Sequence, residues 1–152
     1  MKRIFLVLLA LALGSCAAIP TVTPTIKDGV KPSTVLVFRE HAFNSGGGNL
    51  YFGESGEYYL TLRNNEYGEV LLKPGQHTLI VTARASQDYP LAVNIEPGSK
   101  TCLKAYANPA NYAKVLIPIL MNLTSIFKVE VVACPSTELL NDYTRVPKTG
   151  SS

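Results

Sequence analysis

The 152-residue sequence contains no tryptophan, two methionines, two histidines and three cysteines, and only 16% of its residues are charged. An average soluble domain carries ~25% charged residues. Each scarcity excludes a class. Low charge beside 47% hydrophobic residues excludes an intrinsically disordered chain, which needs the opposite balance. The strict periods of collagen and coiled coils are missing. A formal charge of +3, with no run of Lys or Arg, excludes a nucleic-acid binder. Two histidines without a Cys-x-x-Cys provide no ligand set for a metal, and no cofactor motif is present. Neither a Gly-x-Ser-x-Gly elbow nor a His-Glu-x-x-His pair occurs. The length allows one domain.

What is present begins with an address. Met1-Lys2-Arg3 is basic, residues 4–13 (IFLVLLALAL) are apolar, and Gly14-Ser15-Cys16 follows. A basic start, a short apolar core and small residues make a secretory signal, too short to span a bilayer as a stable helix. Leu13-Gly14-Ser15-Cys16 resembles a bacterial lipobox, in which the small residues admit the signal peptidase and the cysteine thiol takes a diacylglyceryl group. Cys16 then becomes the first residue of the mature chain, held in the membrane by palmitate-like fatty acids that each contribute ~0.8 kcal/mol per buried CH₂. The other reading is an ordinary cleaved signal with a chance cysteine. Ala17-Ala18 after the cysteine, rather than Asp, resembles lipoproteins of the outer membrane. Cleavage removes Lys2 and Arg3, leaving twelve basic side chains against eleven acidic ones, a net +1, so no electrostatic steering argument survives.

Residues 16–32 form a lipidated, Pro-rich tether with Pro20, Pro24 and Pro32. At ~3.1 Å per residue such a segment holds a domain up to ~50 Å from the bilayer. The other reading is that residues 21–26 add an edge strand. Residues 33–143 then read as a β domain. Strands are expected at 34–40 (TVLVFRE), 50–52, 57–63 (EYYLTLR), 69–72, 77–84 (HTLIVTAR), 91–95, 100–107 (KTCLKAYA) and 128–134 (KVEVVAC). Turn signals at Lys73-Pro74-Gly75 and Glu96-Pro97-Gly98 separate them. Short strands with Gly/Pro turns every 8–12 residues mark an all-β sandwich or barrel. The glycines of residues 44–49 (NSGGGN) lack the Lys-Ser/Thr and helix start of a phosphate loop. Residues 144–152 are polar and read as a disordered tail.

One stretch breaks the β pattern. Tyr112, Val115, Leu116, Ile119, Leu120 and Leu123 fall at helical spacing after Asn108-Pro109, which suit a cap and a first turn. Pro118 interrupts the run, and Ile117 and Met121 make the helix apolar nearly all round. Its face, Val115, Leu116, Ile119, Leu120 and Leu123, is either buried on the sandwich or contacts a partner protein or lipid.

With Cys16 acylated, Cys102 and Cys134 are left as an even pair in an exported chain, a disulfide candidate that closes a loop of roughly 33 residues. Two buried free thiols are the alternative. His41 and His77 sit at strand ends, where a half-exposed polar residue is the ordinary role; catalysis needs a polar cluster around one of them in a pocket. Glu54 and Glu57 flank a Gly-containing turn. Tyr51, Phe52, Tyr58, Tyr59 and Tyr67 offer a stacking surface, although adjacent Tyr58 and Tyr59 point to opposite faces of a strand and packing accounts for most of the set. No catalytic residue is assigned.

Residues 65–79, with Leu71-Leu72-Lys73-Pro74-Gly75-Gln76-His77, resemble the bacterial lipoproteins of the domain of unknown function 2846. Val37-Phe38-Arg39 matches that family's first strand, Pro74-Gly75-Gln76-His77 its middle and Pro97-Gly98-Ser99-Lys100-Thr101 its later turn, so the similarity covers residues 33–107. The resemblance implies an immunoglobulin- or transthyretin-like antiparallel β-sandwich, here with one short helical insertion before the last strand. It also implies outer-membrane anchoring and no established activity. The expected role is a lipid-anchored, non-catalytic binding or scaffolding module on the periplasmic face of the outer membrane, with an unidentified envelope protein as partner. Alternatives are a secretion-machine scaffold lipoprotein and a carrier of a small apolar ligand.

Overall fold

The computed structural model describes residues 19–42, 48–111 and 124–147. Their strands are β1 (Ser33–Arg39), β2 (Leu50–Glu54), β3 (Glu57–Leu62), β4 (Glu66–Leu72), β5 (Gly75–Thr82), β6 (Tyr89–Ile95), β7 (Lys100–Ala107), β8 (Phe127–Val132) and β9 (Thr144–Arg145), with a short helix α1 (Thr137–Leu140) before β9. Two sheets result, in the orders β8-β7-β1-β4-β9 and β3-β2-β5-β6. The fold is an all-β sandwich.

Most strand pairs are antiparallel, as expected, with two exceptions: β1 pairs parallel with β7, and β9 parallel with β4. After β1 the chain crosses into the other sheet, so no hairpin turn dictates the direction of its neighbours. The β2–β3 hairpin does follow a turn rule. Ser55 and Gly56 both have positive φ (32° and 88°), the two-residue geometry whose twist matches paired strands. Next to it a register shift lies between Phe52 and Gly53, with Phe52 opposite Leu60 and Gly53 opposite Tyr58. Tyr59 is therefore the extra residue of a β-bulge. Gly53 permits it, because a Cβ there would stand 1.8 Å from the Glu57 carbonyl oxygen.

Alternation fills the space between the sheets. Val35 and Val37 from β1, Leu50 and Phe52 from β2, Leu79 and Val81 from β5, and Leu103, Phe127 and Val129 from β7 and β8 pack into one buried cluster. At ~25 cal/mol per Å² of apolar surface removed from water, this cluster is the dominant stabilising element. Strand β1 does not stop at one face. Leu36 and Phe38 point the other way and are also buried, in a second cluster with Cys102, Tyr67, Val132, Leu140 and Tyr143. The C-terminal segment supplies this outer layer. Ser136 caps α1 through a hydrogen bond from Leu139 N, and the Tyr143 ring meets Phe38 edge-on at 5.6 Å.

The disordered tail expected from residue 144 is thus corrected over its first residues. Thr144 N donates to Asn65 O and Val146 N to Tyr67 O, and Val146 packs on the core cluster. Two residues of backbone pairing and one apolar side chain suffice to order a stretch whose composition reads as loop. Of the expected helix, residues 109–111 form a single turn with Asn108 Oδ1 accepting from Ala110 N. The rest, including Val115, Leu116, Ile119, Leu120 and Leu123, lies outside the described residues. The described helix α1 sits elsewhere, between β8 and β9.

Candidate functional site

Strand registers sort the loops into two ends. At one end β1, β3, β5 and β7 finish and β2, β4, β6 and β8 begin; the loops there follow Arg39, Leu62, Thr82 and Ala107. The other end carries the β2–β3, β4–β5 and β6–β7 turns.

A buried polar cluster lies at the turn end. His77 on β5 is 5% exposed. Its Nδ1 is 2.7 Å from Glu54 Oε1 and its Nε2 2.8 Å from Lys73 O. Tyr59, lifted into reach by the bulge, donates to Glu54 Oε2 at 3.0 Å. A carbonyl only accepts, so Nε2 donates to Lys73 O, and Nδ1 hydrogen-bonds the Glu54 carboxyl group. Burial, then the Glu54 hydrogen bond and the charges of Glu54 and Glu57, push the Tyr59 phenol far up from its usual range. A histidine with both nitrogens engaged and no exposed edge presents nothing to a substrate. The cluster ties the β2–β3 and β4–β5 turns together. His41 is exposed on the other end. Ser125 and Lys128 have Ser-x-x-Lys spacing, but Ser125 Oγ donates to Phe127 O and the Lys128 ammonium lies over the Tyr89 ring at 5.9 Å, so the two do not form a nucleophile–base pair.

The second candidate is the seam between β3, the edge of its sheet, and β4, whose outer side is paired with β9 only at Glu66 and Tyr67. Residues 19–32, expected as a tether, run along it. Ile19, Pro20 and Thr21 stand beside Asn49, Arg63 and Val146 in a cleft of about 510 Å³. Val22 N donates to Tyr58 O at 2.7 Å. Thr23, Pro24 and Ile26 line a further cleft of about 270 Å³ with Tyr59, Leu71 and Lys100, and Lys31 reaches Gly98 at the turn end. The segment covers an edge that otherwise invites strand addition. Glu69 borders the seam, held by Lys100 at 3.0 Å and Arg145 at 2.6 Å; both cations are about half exposed, so the pairs add little stability.

The third candidate is the loop end itself. Arg39 is fully buried there. Its Nη1 donates to Gly48 O at 2.6 Å and Leu62 O at 2.9 Å, and its guanidinium stacks 4.5 Å from the Phe127 ring centre. Burial, opposed by Glu66, pulls it down to about 10, which leaves it charged at neutral pH. Beside it the β7–β8 loop has a fastened base: Asn108 and Asn111 both donate from Nδ2 to Ser125 O, and Thr124 Oγ1 donates to Asn111 Oδ1 at 2.8 Å.

Among the residues singled out in the sequence, Cys102 and Cys134 are brought together as a disulfide, with Cα atoms 5.0 Å apart. Cys16 lies outside the described residues. The aromatic set forms no stacking platform: Tyr51, Phe52 and Tyr59 are buried, and Tyr58 packs on Tyr51 at 5.7 Å. The Glu54–His77 pair escaped sequence reasoning because 23 residues separate its members. The one local signal was the Gly53 that allows the bulge. Among the described residues no helix is long and apolar enough to cross a membrane, and no group of three His, Cys, Asp or Glu side chains is placed to hold a metal ion. No protein-family model matches this chain, and no curated protein matches it.

Proposed function

We propose that this protein is a lipoprotein of the bacterial envelope, anchored through Cys16 on the periplasmic face of the outer membrane, that acts as a non-catalytic binding or scaffolding module. The resemblance to lipoproteins of the domain of unknown function 2846 belongs to the same proposal. The observation that carries it is the Cys102–Cys134 disulfide. A structural disulfide persists in an oxidising compartment, which agrees with a leader that ends in Leu13-Gly14-Ser15-Cys16. The non-catalytic part is supported by His77, whose ring is buried and engaged on both sides.

Partner contact is assigned to the open sheet edges, β8 in one sheet and β6 in the other. Val131 on β8 is 53% exposed, and an unpaired edge offers main-chain hydrogen bonds to an extended segment of a partner. The test is a photocrosslinker placed at Val131, and separately at Ala92 on β6, in intact cells. A defined envelope protein crosslinked from one edge supports the reading. Adducts from neither edge, at normal expression, contradict it.

A further inference from the structure

The seam and the loop end bear on how the domain sits against a membrane. Residues 19–32 run along the β3–β4 seam from the loop end to the turn end, where Ser33 starts β1. The chain therefore enters the domain at the loop end, beside Asn49, Arg63 and Val146. Only residues 17 and 18 separate Cys16 from docked Ile19. At ~3.3–3.6 Å per residue, the three steps from Cys16 to Ile19 reach at most about 10 Å, not the ~50 Å a free Pro-rich segment would give.

The β7–β8 loop leaves the sandwich at the same end. Its base is fastened by the Asn108, Asn111, Thr124 and Ser125 hydrogen bonds, with Pro109 and Ala110 exposed beside it. Two features, the point of chain entry and the exposed Pro109–Ala110 turn with its hydrogen-bonded base, thus fall on one end of the molecule. The turn end carries Lys31, Lys73, Glu57 and Glu96, all exposed.

We infer that the loop end of the sandwich, around Pro109, Ala110 and Arg63, rests on the lipid bilayer, with the strands standing away from it and the turn end projecting into the compartment. This rests on the lipid anchor proposed above. The occupant of the surface is a phospholipid headgroup and upper-acyl layer, since the anchor leaves the loop end within about 10 Å of it. Strand β7 rises ~3.3 Å per residue over its eight residues, so the turn end stands roughly 25 Å farther out.

The absence of tryptophan provides a direct reading. Ala110→Trp at the loop end and Glu96→Trp at the turn end each introduce the only tryptophan, excited selectively over the eight tyrosines. Each lipidated full-length variant is reconstituted in phosphatidylcholine vesicles containing brominated acyl chains, and flotation is measured alongside fluorescence. Co-flotation with at least twofold quenching of Ala110→Trp and no quenching of Glu96→Trp is the expected result. Co-flotation with equal quenching, with quenching of neither, or with quenching of Glu96→Trp alone overturns this orientation while leaving the anchor in place. Failure of both variants to float overturns the anchor, and the orientation with it. Matching circular dichroism of the two variants controls for folding.

Discussion

Cys102 on β7 and Cys134, two residues beyond β8, are joined with their Cα atoms 5.0 Å apart, and Cys102 is a buried member of the outer cluster that also holds Phe38, Leu140 and Tyr143. The bond therefore fastens the start of the C-terminal segment to the sheet that the segment covers. Across a sequence separation of 32, the chain-entropy model assigns it about 3–4 kcal/mol. Reducing the protein, or a Cys134→Ser variant, is expected to lower unfolding stability by that amount in urea denaturation. A change under about 1 kcal/mol contradicts this role.

Arg39 holds two strand ends and a loop by donating to Gly48 O and Leu62 O while lying on Phe127. Arg39→Lys keeps the charge and removes the planar fork. With carbonyls left short of donors, the expected loss is about 2–3 kcal/mol, read as a lower denaturation midpoint with an unchanged slope. An unchanged midpoint sinks the assignment.

Most strands were legible because period-two alternation and Pro-Gly turns are local signals. The strand expected at 100–107 coincides with β7 (Lys100–Ala107), and the Cys102–Cys134 pairing followed from having two cysteines left over. Other features depend on distant residues. The run Val35-Leu36-Val37-Phe38 lacks alternation, the mark of a strand buried on both faces, but nothing nearby names the C-terminal segment that covers it. Strand β9 owes its order to Asn65 and Tyr67 carbonyls about 80 residues upstream. Residues 19–32 read as a tether because prolines favour extended backbone. They run against the seam, with a turn at Lys27–Val30, since β3 and the part of β4 beyond β9 give them apolar contacts and a partner for Val22 N.

His77 is expected to be structural. His77→Ala leaves Lys73 O without its donor and Glu54 without its ring partner, and it opens a small cavity; the loss should be about 2–4 kcal/mol. Retention of full stability, or an enzymatic activity that vanishes with this substitution, contradicts the account.

Tyr59 gives the pH dependence a sign. Burial and the Glu54 hydrogen bond raise its phenol in the folded state above the ordinary value of 10.0. The unfolded state then releases this proton first, so the contribution is complete below about pH 10 and is lost as pH rises beyond it. Stability is expected to fall steeply above pH 10, with phenolate absorbance rising together with loss of β-sheet dichroism. Tyr59→Phe should flatten that fall. Equal alkaline slopes in the two proteins contradict the assignment.

The most direct test of the whole account is the mass and fractionation of a Cys16→Ser variant. The parent protein is expected in the membrane fraction, with an intact mass beginning at Cys16 and increased by acyl groups; the variant should lack that increase and leave the outer membrane. A variant that fractionates with membranes as the parent does, and a parent whose mass shows no acyl groups, would contradict the central claim.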